Sequence, residues 1–224
     1  MRWSERLARG PLRRRPLNVV VPIVSLVERR LGGRWWAESL REAPGSVEPQ
    51  RENASDQQAV DDGVGAPLVR RYEISLEGAK VSPFGVLDKF RNDPNSFAPI
   101  EYAAFSKNSL SEGDRTEVRL AGPWNGPVQV VVSDVDRIRL ATLDGHMEAG
   151  WIDFRVTEEP EALFVIESVA RAGDHAFWLL HDRLPIGRWV QADMWARVLE
   201  SAADYAQLPA GPGRVEVSTI RLDE

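Results

Sequence analysis

The sequence predicts an α+β domain: a curved antiparallel sheet of about six or seven strands wrapped on a long C-terminal helix, with a helical appendage in front. Three observations predict it. From Pro67 to Arg171 the chain is a series of short alternating apolar runs, and the separators are too short for parallel crossovers, which need about a dozen residues. From Pro185 to about Gln207, Ile186, Val190, Met194, Val198 and Ala202 recur every fourth residue, and Trp189, Trp195, Leu199 and Tyr205 broaden the stripe. Such a helix runs ~32 Å, long enough to lie along the concave face of a curved sheet. The third observation is a change of composition: the first 44 residues carry ten arginines against four glutamates, whereas residues 45–224 carry 18 lysines and arginines against 30 acids.

That asymmetry divides the chain into a basic, apolar front (1–44), a linker (45–65) and the main domain (66–224). The linker, GSVEPQRENASDQQAVDDGVG, lacks aromatics and any sustained apolar period. In the front, the apolar run Leu17–Val27 is far below the ~20 residues that span a bilayer. Glu28-Arg29-Arg30 follows it where a signal peptide would place small residues, so secretion is not expected. The segment reads as one or two helices, interrupted near Pro22 and ended near Gly32-Gly33. Its apolar side (Val20, Val24, Val27, Leu31) either packs on the body or lies on an anionic membrane, the first being the commoner fate of such a face. A net charge of −6 argues against a nucleic-acid partner. The absence of cysteine excludes disulfides, thiolate metal sites and cysteine nucleophiles, and fits a cytoplasmic protein, with membrane association left open.

Within the body, Tyr72, Ile74 and Leu76 share one face of a first strand. Ser82-Pro83 supplies a cap and first-turn proline for a helix to about Arg91, with Val86, Leu87 and Phe90 inward and Asn92-Asp93-Pro94 as its stop. A small helix or turn follows at Asp93–Phe97. Strands are expected near Ile100–Lys107, Thr116–Ala121, Val128–Ser133, Arg137–Leu143, Trp151–Val156 and Leu163–Arg171, each bounded by turn residues. Asp174–His181 reads as a short helix or turn, and Val215–Leu222 as a final short strand.

Gly63-Val64-Gly65-Ala66-Pro67-Leu68, Arg70-Arg71-Tyr72, the Ala121–Val128 corner, the Ala141–Gly150 corner, Phe164–Arg171 and Met194-Trp195 carry a resemblance. They resemble a bacterial family of unknown function related to the START-like (SRPBCC, helix-grip) superfamily, over roughly residues 63–207. The resemblance implies a helix-grip fold, often with an apolar cavity between sheet and helix. Superfamily members bind lipids and hormones or act as cyclases and dehydratases, and at that level function is analogy.

The candidate site residues each have a plainer reading. Trp124, at the tip of Trp124-Asn125-Gly126-Pro127, is either an aromatic wall at a cavity mouth or a cover for a sheet edge. His146 and Glu148, two residues apart, could shuttle a proton as acid and base, or simply tie a loop together. Glu167 and Arg171 share a strand face; turned inward they would be ligand-binding, turned outward they would form cross-strand pairs. Trp178, Trp189 and Trp195 are candidate cavity-lining aromatics. His175 and His181, six apart, do not share a helical face, and with His146 they make no zinc site, so no metal or cofactor is expected. There is no phosphate-binding loop, dinucleotide fingerprint or nucleophile elbow. Three functions follow: a module that binds a small apolar or amphipathic molecule, an enzyme of the same fold using His146 and Glu148, or a scaffold docked through its Arg-rich front.

Overall fold

Alternation of period two sets which side chains enter the core, and helical spacing sets which stripe covers them. The computed structural model describes residues 20–32, 37–44, 55–100, 102–120, 125–179, 185–208 and 215–223. Their order is α1 (Val20–Leu31), β1 (Ala37–Pro44), a 3-10 turn (Val60–Asp62), β2 (Val64–Ser75), α2 (Pro83–Asn92), a second 3-10 turn (Pro94–Ser96) and β3 (Ala103–Phe105). Then come β4 (Arg115–Leu120), β5 (Asn125–Ser133), β6 (Arg137–Thr142), β7 (Glu148–Thr157), β8 (Leu163–Ala172), α3 (His175–Trp178), α4 (Pro185–Tyr205) and β9 (Val215–Asp223).

The strands form one curved sheet in the order β1-β9-β2-β8-β7-β6-β5-β4-β3. From β3 to β8 successive strands form the expected antiparallel hairpins, and β8 pairs antiparallel with β2. The sheet is nevertheless mixed and larger than the sequence predicts, because β1 adds at the edge parallel to β9. Part of the expected linker also belongs to the body: Ala59 and Val60 are buried, and Gln57 bridges to Leu143.

The helix signals act as their chemistry requires. Ser82 Oγ accepts from Gly85 N, and Pro83 fills the first turn of α2. Asp174 caps α3 by accepting from Phe177 N at 2.7 Å. Pro22 does not interrupt α1; it lies in the first turn, where an absent N–H leaves no helical bond unmade.

α1 packs on α4, but with the opposite face to the one its apolar residues suggest. Val21, Pro22, Ser25, Leu26 and Arg29 are buried, while Val20, Val27 and Leu31 are exposed. An ion cluster decides the orientation. Arg29 makes a two-pronged contact with Glu200 (2.8 and 2.6 Å), and its Nε lies 3.2 Å from Asp193. Asp193, fully buried, also accepts from Arg197 Nε at 2.9 Å and from the Tyr102 hydroxyl. Among the described residues two cations meet two anions, so the buried charges are compensated.

The concave face of the sheet divides in two along its strands. At one end Ile138, Phe154, Val156, Phe164 and Ile166 pack with Phe90 of α2 and with Val198, Leu199 and Ala202 from the second half of α4. Phe90 is the hub, 4.6 Å from Phe154 and 6.0 Å from Phe97, centroid to centroid. At the other end the same strands present Thr142, Gly150, Ser168 and Ala170, whose small side chains cannot reach α4. This end stays open.

Candidate functional site

The open end is a cavity of about 450 Å³ between the sheet and the first half of α4. Its floor is Val118, Leu120, Val128, Leu140, Ile152, Ser168 and Ala170; its roof is Gly187, Val190, Gln191, Met194 and Trp195, at helical spacing. Pro22 and Ile23 of α1 and Phe177 of α3 close the sides. The lining is almost wholly apolar, and the volume suits a small organic molecule.

The polar groups of the wall are few and converge on the β6–β7 corner. Thr142 Oγ1 accepts from Gly150 N at 2.9 Å and lies 2.8 Å from the Gln58 carbonyl. That contact holds a kink where Gly150 has φ +149°, a conformation side-chain-bearing residues rarely adopt; a Cβ there would meet Val169 O at 2.1 Å. The kink directs the preceding residues, His146 to Glu148, into the cavity wall.

His146 and Glu148 thus both line the cavity, but their side chains do not pair with one another among the described residues. Nδ1 of His146 lies 2.9 Å from both the amide nitrogen and the carbonyl of Glu148. The Glu148 amide N–H can donate to an unprotonated Nδ1 and the Glu148 carbonyl can accept from a protonated one, so this contact serves either tautomer. Nε2 sits against Gly126, where a Cβ would approach to 3.0 Å. Burial pushes the imidazole down to about 4, opposed by the contact with the Glu148 backbone.

The Glu148 carboxyl accepts instead from Gln191 Nε2, at 3.0 and 3.3 Å. Gln191 Oε1 in turn accepts from Arg70, a buried guanidinium that also donates to the Arg188 carbonyl at 3.2 Å. Desolvation raises the Glu148 pKa, and the charge of Arg70 and the Gln191 bond act against that rise. The carboxyl therefore takes up a proton more readily than an exposed one.

These shifts have opposite consequences for stability. For His146 the folded pKa lies below the ordinary 6.5, so its contribution is full above pH 6.5 and is lost as pH falls toward 4, by up to ~3 kcal/mol. Glu148 is the reverse: its contribution is full below the ordinary carboxyl range and is lost as pH rises through the raised value. Urea unfolding of wild type and His146→Gln should accordingly converge in stability between pH 6.5 and 4, as the wild type loses what the variant never had. A constant difference across that range would place the imidazole in water.

Of the other residues singled out from sequence, Trp195 lines the cavity. Trp189 packs against the core without lining it, and on α3 the lining residue is Phe177, beside Trp178. Glu167 is on the convex face, 3.1 Å from Arg155 and 3.5 Å from Arg71, the outward cross-strand arrangement. Arg171 borders only a small recess next to Arg70 and Glu148. His175 is exposed on α3, and Trp124 and His181 lie outside the described residues. No group of three or more His, Asp or Glu among the described residues could hold a metal ion. Arg70 and Gln191 escaped the sequence reading, although Leu68-x-Arg70-x-Tyr72-x-Ile74 already placed an arginine on the inward face of β2.

Compared with known families and with curated proteins, the chain matches none. Among solved structures it is similar to ginseng major latex-like protein 151 from Panax ginseng (13% identity, 60% of this chain and 99% of that one, TM-score 0.40). It is also similar to protein Ms6760 from Mycobacterium smegmatis (14%, 70% and 98%, TM-score 0.42) and to the di-domain aromatase/cyclase StfQ of the steffimycin pathway (12%, 66% and 52%, TM-score 0.47). The chain's own geometry, a curved antiparallel core closed over one long helix near its C-terminus, makes it a helix-grip, START-like fold.

Proposed function

We propose that the protein binds one small, neutral, largely apolar molecule in the cavity, with a hydroxyl or carbonyl group set against Glu148. The observation that carries this reading is the distribution of polarity: an apolar chamber of about 450 Å³ whose hydrogen-bonding groups gather around one carboxyl. A filled-core scaffold would leave no such volume. An anionic head group is disfavoured, because it would meet Glu148, while Arg70 is turned to Gln191 and the Arg188 carbonyl. The direct test is mass spectrometry of small molecules extracted from the purified protein; a retained neutral apolar compound supports the reading, and a retained fatty acid or nucleotide would contradict it.

A second reading makes Glu148 a general acid toward a carbonyl of that ligand, favoured by the raised carboxyl pKa. The second reading, and the first where the ligand's polar group is a carbonyl, require the protonated form to hold the carbonyl oxygen. Affinity for prodan, a neutral naphthyl ketone, should therefore fall as pH rises through the Glu148 titration, and Glu148→Gln should show a flat profile. Fluorescence titration across pH reads this; a flat wild-type profile would remove Glu148 from the binding contact.

A further inference from the structure

The outward face of α1 is apolar, and the face it buries is the more polar one. Val20, Ile23, Val27 and Leu31 are 49%, 41%, 51% and 84% exposed, in a helix only twelve residues long. Their spacing of three and four puts them on one stripe, with Val24 half-buried beside them. The helix is locked in this orientation by Arg29, Asp193, Arg197 and Glu200, so the stripe cannot turn inward without breaking that cluster. An apolar stripe held outward by a buried ion cluster is a surface built to meet something.

Charge selects what it meets. The nineteen residues that immediately precede this stripe carry six arginines and one glutamate, and the exposed Arg30 lies at its other end, whereas residues 45–224 are strongly acidic. A second copy of this chain would bring like charge to like charge at the helix. An anionic bilayer offers both the apolar depth and the negative surface. We infer that α1 docks the protein on anionic phospholipid membranes, its valine, isoleucine and leucine side chains entering the interface and the flanking arginines engaging lipid phosphates. Among the described residues no helix is long and apolar enough to cross a membrane, which fits a helix that lies in the interface plane. Pro22 and Ile23 belong both to this helix and to the wall of the cavity, so the docked face adjoins the ligand chamber.

The test is co-sedimentation of the full chain with phosphatidylcholine vesicles with and without phosphatidylglycerol, for wild type and Val27→Asp/Leu31→Asp, whose exposed positions leave the fold intact as judged by its unfolding midpoint. The wild type should pellet only with anionic vesicles, and the double variant should partition about tenfold less or weaker. Equal pelleting of the two proteins would overturn the inference, as would absence of wild-type pelleting. A lipid-independent dimer in analytical ultracentrifugation that the double variant abolishes would overturn it too, by assigning the stripe to self-association. Ligand retention in the cavity is measured without lipid, so failure of one result does not entail failure of the other.

Discussion

Asp193→Ala should destabilise the protein by about 3–5 kcal/mol, a large share of the ~5–15 kcal/mol that stabilises a typical domain. The carboxylate is fully buried and is held by Arg29, Arg197 and Tyr102 at once. Arg29 would keep Glu200, whereas Arg197 would lose its bond to Asp193 and retain the Ser25 carbonyl, at 3.3 Å, and the face of Tyr102. Breaking a buried ion pair by removing one partner costs more than the loss of the bond itself, because the remaining guanidinium stays desolvated. Tyr102 would change as well: burial and the adjacent Asp193 charge now hold its phenol far above the ordinary value, and the charge contribution would vanish. Urea unfolding followed by tryptophan fluorescence reads the effect. A loss below about 1 kcal/mol would mean that water reaches the cluster.

The second large effect concerns the chamber. Ala170→Trp should lower the affinity for prodan at least tenfold, about 1.4 kcal/mol, with little change in stability. Ala170 lies on the floor beside Ser168 and opposite the kink at Gly150, and its methyl faces open volume rather than packed atoms. An indole there would occupy the ligand's place, and the void would absorb its bulk where a packed core would be strained. Fluorescence titration against wild type checks it. Unchanged affinity would mean that the probe binds elsewhere on the surface, and a collapse of stability would mean that the chamber is smaller than its volume implies.

Much of the body was legible because its signals are local. Tyr72-x-Ile74 faces inward as its alternation requires, Ser82-Pro83 starts α2, and Pro185 starts α4. The β1–β9 pairing was illegible for the converse reason: AESLREAP has no apolar alternation, and its partner lies at the far end of the sequence. The orientation of α1 was misleading because buried ion pairs, not apolar area, set it; only the positions of Asp193 and Arg197 on α4 reveal why Ser25 and Arg29 are inside. His146 and Glu148 were found by their unusual composition in a turn, but the sequence suggested that they pair with each other. What separates them is main-chain geometry at the corner, which gives the imidazole to the Glu148 backbone and the carboxyl to Gln191.

The strand order holds a further consequence for how the molecule comes into being. β9 sits between β1 and β2, so Ala37 must wait for Glu216, and the edge of β2 stays unpaired until the last strand has been synthesised. On a ribosome, everything from β2 to α4 can assemble while that edge remains open to the surroundings. The final nine-residue strand is thus a closing seam, joining the front of the chain to the body and ending the period in which a passing strand could take its place.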